Sequence, residues 1–105
     1  MTALQERDVY VAIADPTRRK IVHLLAHSNE LPLYELTNHF EMGRTAVSKH
    51  LKILDDANLV TKRRIGRETR YQFNPEPLLE IKNWITYYEQ FWTERTNILR
   101  DLLEE

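Results

Sequence analysis

The sequence predicts a mostly helical domain with one small β-hairpin, and three observations carry that prediction. Apolar residues recur at helical spacing in stretches that punctuation residues separate. Residues 59–73 read as two short strands around Gly66-Arg67. After Pro75 and Pro77 an apolar seam runs to about residue 104. At 105 residues this is one domain spanning 1–105, large enough for a core and small enough that a second chain would usefully extend it.

Residues 4–13 place Leu4, Val9, Ala12 and Ile13 at helical spacing and form a weak first helix. Asp15-Pro16-Thr17 is a sharp start signal for the second. Asp15 can cap, and Pro16 suits a first position where no backbone donor is needed. That helix turns Ile21, Leu24 and Leu25 to one face and ends near Ser28-Asn29. A third, short helix over 33–40 faces Leu33, Leu36 and Phe40 inward. Glu41-Met42-Gly43 makes a tight turn, with Gly43 placed for a conformation or cap that bulkier residues disfavour. The fourth helix, 44–57, carries Val47, Leu51 and Leu54 as one apolar stripe, and Asn58 ends it in the left-handed region that Asn tolerates. Strands over 59–65 and 68–73 follow, joined by a Gly-first two-residue loop suited to a type II′ turn. The last helix covers 76–104. Helix, helix, helix-turn-helix, hairpin, helix is the order of a winged helix-turn-helix.

Charge is distributed unevenly over this plan. Residues 44–70 hold eight basic residues (Arg44, Lys49, Lys52, Lys62, Arg63, Arg64, Arg67, Arg70) against three acids (Asp55, Asp56, Glu68), a net of +5. Residues 1–43 sum to −2 and residues 71–105 to −4, so the chain as a whole is at −1. A nearly neutral protein with its positive charge in one supersecondary unit has a docking face for a polyanion, and double-stranded DNA is the leading candidate.

Composition excludes much else. With no cysteine there is no disulfide framework, thiolate metal site or thiol nucleophile. Only Gly43 and Gly66 are glycine, so no glycine-rich phosphate loop exists, and no nucleophile–base set stands out; the chain is not expected to be an enzyme and no cofactor is expected. No secretory signal or membrane-length apolar run is visible, which reads as a cytoplasmic protein without a membrane partner.

The outer face of the fourth helix offers Arg44, Thr45, Ser48, Lys49 and Lys52. Recognition helices read base edges mainly from their N-terminal residues, so Arg44, Thr45 and Ser48 are the candidate readers, with Arg44 suited to a bidentate guanine contact. In the hairpin, a Gly66-Arg67 loop pairs Ile65 with Glu68, Arg64 with Thr69, Arg63 with Arg70, Lys62 with Tyr71 and Val60 with Phe73. Facing arginines repel each other, which points to a phosphate between Arg63 and Arg70. Arg67 at the tip is placed to enter a minor groove. The bland alternatives are a solvated helix face and a solubilising hairpin.

The run ADPTRRKIVHLL, the segment LYELTNHF and the stretch TAVSKHLKILDDANLVTKRRIGRETRYQFNP resemble the ArsR family of bacterial winged-helix repressors over nearly the whole chain. The resemblance implies a homodimer on a twofold-related operator, with the first and last helices forming the dimer interface. Ser48, His50 and Leu51 match the family's SxHL pattern, and Arg63, Arg64, Gly66 and Arg67 match its wing; Asn58 stands where a glycine is common. His50 thereby joins the expected DNA-binding residues. The metal sites known in the family are missing. Pro32 and Tyr34 occupy the places of two third-helix cysteines, and residues 76–104 contain no histidine. His23 and His27, four apart on one helix, are left as a non-standard metal alternative that lacks further ligands.

In the last helix, Leu78, Ile81, Ile85, Tyr88, Trp92, Leu99 and Leu102 form a heptad seam interrupted at Arg95, and Trp84, Tyr87, Phe91 and Ile98 widen it. So broad an apolar surface needs both its own domain and a partner to cover it. Leu4 and Val9 join that seam as expected dimer contacts. Three alternatives stay open: a helix folded onto its own core, a small-molecule pocket, and a protein-interaction module that has lost DNA binding. No effector is named by the sequence.

Overall fold

The computed structural model describes residues 8–104. Helix α1 spans Val9–Ala12, α2 Pro16–Ala26, α3 Leu33–Asn38, α4 Arg44–Asp56 and α5 Leu78–Glu104. The strands are β1 Leu31–Pro32, β2 Val60–Ile65 and β3 Glu68–Phe73, in the antiparallel order β1-β3-β2.

The Asp15-Pro16 start signal acts as expected: Asp15 accepts from the Arg18 N–H at 3.1 Å to open α2 with Pro16 at its first position. A cap that was not expected opens α1, where Asp8 accepts a hydrogen bond from the Tyr10 N–H at 2.8 Å. The described part of the first helix is shorter than the 4–13 expected, and Leu4 lies outside the described residues. Helix α2 stops at Ala26, earlier than Ser28-Asn29, and α3 stops at Asn38 with Phe40 half-buried beyond it. Gly43 is the N-cap of α4, but its φ of −77° is open to any residue and nothing lies within 4 Å of an added Cβ. Its expected special conformation is therefore not used.

The end of α4 shows local sequence acting directly. Asn58 sits at φ 62°, the Asn58 N–H donates to the Asp55 carbonyl at 2.9 Å, and the Leu59 N–H reaches back to the Leu54 carbonyl at 2.9 Å. This pairing is a Schellman closure, and its usual apolar contact is supplied by Leu54 and Leu59, both fully buried. The chain thus leaves the helix already aimed into β2.

The hairpin has the register expected of a Gly66-Arg67 loop, from Ile65 opposite Glu68 to Val60 opposite Phe73. Gly66 lies at φ +63° while Arg67 keeps a negative φ, as a II′ turn requires. The third strand was not expected. Leu31 and Pro32 pair with Tyr71 and Arg70 at the sheet edge, where a proline's missing donor costs no ladder bond.

Val9, Ala12, Ile21, Leu25, Leu36, Val47, Leu51, Leu54, Leu59 and Val60 are buried in one core, and Phe73, Leu78 and Ile81 pack against it. Among the described residues, helix α5 packs on the core only through its first turns. Its 27 residues make about 40 Å of helix, and most of that length leaves the domain. The radius of gyration is accordingly 18.1 Å, against roughly 13 Å for a compact chain of about this length.

Candidate nucleic-acid interface

Burial of Val47, Leu51 and Leu54 fixes the rotation of α4, so Arg44, Thr45, Lys49 and Lys52 are exposed on the opposite side and Ser48 is half-buried. The Schellman turn then brings the wing alongside. Arg44, at the start of α4, and Arg67, at the wing tip, line one cleft of about 310 Å³ with Leu33, Tyr34, Glu68 and Thr69. Ser48 and Lys52 of α4 and Lys62 of β2 line a second groove beside it, over Tyr71.

Not every cation of the stretch is available. Lys52 pairs with Asp56 at 3.2 Å and Lys62 with Asp55 at 3.4 Å, exposed contacts of the kind worth little in water. Arg64 donates from Nε to the Gly66 carbonyl at 3.2 Å and has no carboxylate partner among the described residues. Arg44, Lys49 and Arg67 make no hydrogen bond or ion pair among the described residues. Uncompensated charge therefore concentrates at the N-terminal end of α4 and at the wing tip.

The facing Arg63 and Arg70 are opposite each other as expected, but the reason offered for them needs correction. The Arg63 Nε and Nη2 donate to the two carboxylate oxygens of Glu30 at 2.7 and 2.9 Å. Arg70 Nη1 lies 3.8 Å from the same Glu30, and its Nε donates to Glu68 at 2.6 Å. Two guanidiniums meet two carboxylates, so the wing base is balanced without any phosphate. The Arg63 hydrogen bonds, aided by the charges of Arg63 and Arg70, outweigh partial burial and hold the Glu30 carboxyl below its ordinary range. No role at the wing was expected of Glu30, because it reaches Arg63 only from the residue just before β1, a strand that forms by pairing with β3.

His50 departs from the expectation too. It lies on the α4 side that meets α2, with Nδ1 3.2 Å from Arg18 Nη1 and 3.9 Å from Asp15 Oδ2. Arg18 in turn donates from Nε to the Ala12 carbonyl at 2.7 Å and from Nη2 to the Val11 carbonyl at 3.2 Å. His50 therefore ties α4 to the α1–α2 junction and does not sit on the outer face. Tyr34, exposed in the Arg44–Arg67 cleft, was not singled out as a contact; an aromatic at α3 spacing carries no signal of where the wing will pass.

The His23 and His27 rings make an edge contact with centroids 4.4 Å apart, and among the described residues no three His, Cys, Asp or Glu groups come together. No helix of the described residues is long and apolar enough to cross a membrane.

The second surface lies on α5. Tyr10 donates its hydroxyl to the Glu80 carbonyl at 3.2 Å and meets Trp84 edge-on at 6.0 Å, which ties α1 to the base of α5. Leu78 and Ile81 are half-buried on the chain's own core and Val9 is buried within it, so these three expected dimer contacts also pack within the monomer. Beyond them Tyr88, Trp92, Leu99 and Leu102 are exposed along with Phe91 and Ile98, while Ile85 is half-buried.

A family model described as "Bacterial regulatory protein, arsR family" matches residues 15–62, from the cap of α2 into β2. An uncharacterised HTH-type transcriptional regulator of Bacillus subtilis, YuzN, is 43% identical over 84 residues, covering 73% of this chain and 91% of the relative. The transcriptional repressor SdpR of the same organism is 35% identical over 78 residues, covering 74% and 86%. Among solved structures, an ArsR family transcriptional regulator superposes with a TM-score of 0.75 at 26% identity, covering 86% of this chain and 92% of that one. These relatives are regulators and not enzymes.

Proposed function

The chain belongs to the ArsR family of bacterial DNA-binding transcriptional regulators, and on that premise we propose that it acts as a homodimeric repressor on a twofold-related operator. The observation that carries the residue assignment is the cleft shared by Arg44 and Arg67, two cations on two different elements that have no hydrogen-bond or ion-pair partner among the described residues. Arg44 and Thr45 address base edges in the major groove, since the first turn of a recognition helix lies deepest. Ser48 and Lys49 follow one turn later. Lys52, Lys62 and Arg64 anchor the backbone, Lys52 and Lys62 by exchanging weak carboxylate contacts for phosphate. Arg67 reaches the adjacent minor groove. The α4 N-terminus has no capping side chain, so its first-turn N–H groups add to the attraction for phosphate.

The dimer follows from α5. A long helix with Tyr88, Phe91, Trp92, Leu99 and Leu102 in water is a poor monomer, and a second copy supplies matching apolar cover. Two copies related by a twofold axis set their recognition helices about one DNA turn, roughly 34 Å, apart. Repression then needs no chemistry: the bound dimer blocks a promoter that overlaps the operator. Cysteine-based metal sensing has no ligands in this chain, because cysteine is absent.

Selection of bound duplexes from a random pool tests the whole reading. A palindromic consensus is the expected result. A consensus with one half-site, or no enrichment at all, overturns the dimer or the sequence-specific reading respectively.

A further inference from the structure

The cluster at the wing base is built in a way that a simple surface ion pair is not. Arg63 meets Glu30 through a two-point fork, 2.7 and 2.9 Å, the same arrangement a guanidinium makes with a phosphate. The Arg63 side chain is 65% exposed and the Glu30 side chain only 16%, so the cation lies toward solvent and the carboxylate beneath it. Glu30 makes no hydrogen bond to any other described residue except through this pair of arginines. Arg70 waits 3.8 Å from the same carboxylate oxygen and is itself held by Glu68 at 2.6 Å.

Resting on the DNA-binding reading above, we propose that Glu30 is an intramolecular stand-in for a DNA phosphate, which occupies Arg63 in the free protein and lowers affinity for DNA of arbitrary sequence. When a duplex docks, Arg63 turns outward and exchanges one anion for another. The departure does not strand Glu30, because Arg70 remains beside it; an isolated, mostly covered carboxylate would otherwise oppose the exchange. The arrangement divides the wing into two kinds of cation. Arg67 and Arg64 attract any duplex at long range, whereas Arg63 engages only where the fit is close enough to displace its resident carboxylate. Weak, misaligned encounters therefore gain nothing from Arg63, and specificity rises because the non-specific complex is the one denied a contact.

The test compares wild type, Glu30→Gln, Arg63→Ala and the double variant on a mixed-sequence DNA duplex, with affinity measured across a salt series. Glu30→Gln keeps the side-chain shape and removes the competing charge. It is expected to bind several-fold more tightly, with a log–log salt slope steeper by about 0.9, one additional phosphate contact. The gain is expected to vanish in the double variant. If Glu30→Gln leaves affinity and slope unchanged, or weakens binding, or keeps its gain without Arg63, the proposal is overturned. Should Glu30→Gln unfold the chain, Glu30→Asp decides, since it keeps the charge but gives up the two-point fork; a smaller gain supports the proposal and no gain overturns it. A wild type whose binding ignores salt would instead overturn the DNA-binding reading itself.

Discussion

If the proposed homodimer forms through α5, replacing Leu99 by alanine should separate dimerisation from folding, because this side chain lies beyond the part of α5 that packs on the core. It is 60% exposed, so most of its apolar surface is still available to be covered by a partner. Fully burying a leucine side chain is worth about 1.5–3 kcal/mol, which leaves roughly 1–2 kcal/mol per protomer at this exposure. A twofold interface counts each substitution twice, so the dimer loses about 2–4 kcal/mol, or roughly two orders of magnitude in dissociation constant. No cavity opens in the monomer, since Leu99 belongs to no part of the buried core. Sedimentation velocity over a concentration series reads the dissociation constant directly. Circular dichroism at a concentration where both proteins are monomeric should then show the same unfolding midpoint for the two. A variant that dimerises as well as wild type would refute the placement of the partner on this face. A monomer that unfolds early would instead show that α5 covers itself.

Further outcomes follow from the cleft and the caps. Arg67→Ala should flatten the salt slope of DNA binding by about 0.9 on any sequence, while Arg44→Ala should cost about 1–3 kcal/mol on the selected operator and much less on a mixed duplex; equal losses on both duplexes would make Arg44 a phosphate contact. Asn58→Ala keeps the Cβ at φ 62° but loses the short polar side chain that eases the left-handed conformation, and should destabilise the fold by up to about 1 kcal/mol in denaturant melts, whereas Asn58→Gly, which removes the Cβ, should be tolerated. Asp15→Ala should cost about 1 kcal/mol through the lost α2 cap, and Asp15→Asn should restore most of it at neutral pH. The Asp15 carboxyl is pushed up by burial, but the Arg18 N–H, the Arg18 guanidinium and His50 overcome this and leave it below its ordinary value. A carboxyl lowered on folding contributes stability that is present above the ordinary carboxylate range and is lost as pH falls through the lowered value. Acid unfolding of Asp15→Asn should consequently have a shallower pH dependence than wild type, as thermal melts across the acid range will read.

Local chemistry made the helices and the hairpin legible. The Asp15-Pro16 start, the Val47–Leu51–Leu54 stripe, the Asn58 exit and the Gly66-Arg67 loop each rest on neighbours within a few residues, and each stands where the pattern placed it. The candidate readers Arg44 and Thr45 were legible for the same reason, since burying one stripe of a helix exposes the other. Where expectation and structure part, the cause is distance along the chain. Glu30 and Arg63 are 33 residues apart, and His50 and Arg18 are 32 apart. No periodicity reports such pairs.

The charge asymmetry survives in a narrower form. Sequence alone was enough to show that residues 44–70 are cationic and that they form a helix and a wing, because composition and short-range geometry suffice for both. Which of those cations are free was settled by packing. β1 pairs with β3 and carries Glu30 under the wing, so Arg63 and Arg70 are neutralised while Arg44 and Arg67 are left to face one cleft. A charge count adds residues regardless of where they lie, whereas an ion pair exists only once two remote segments have been folded to within a few ångströms.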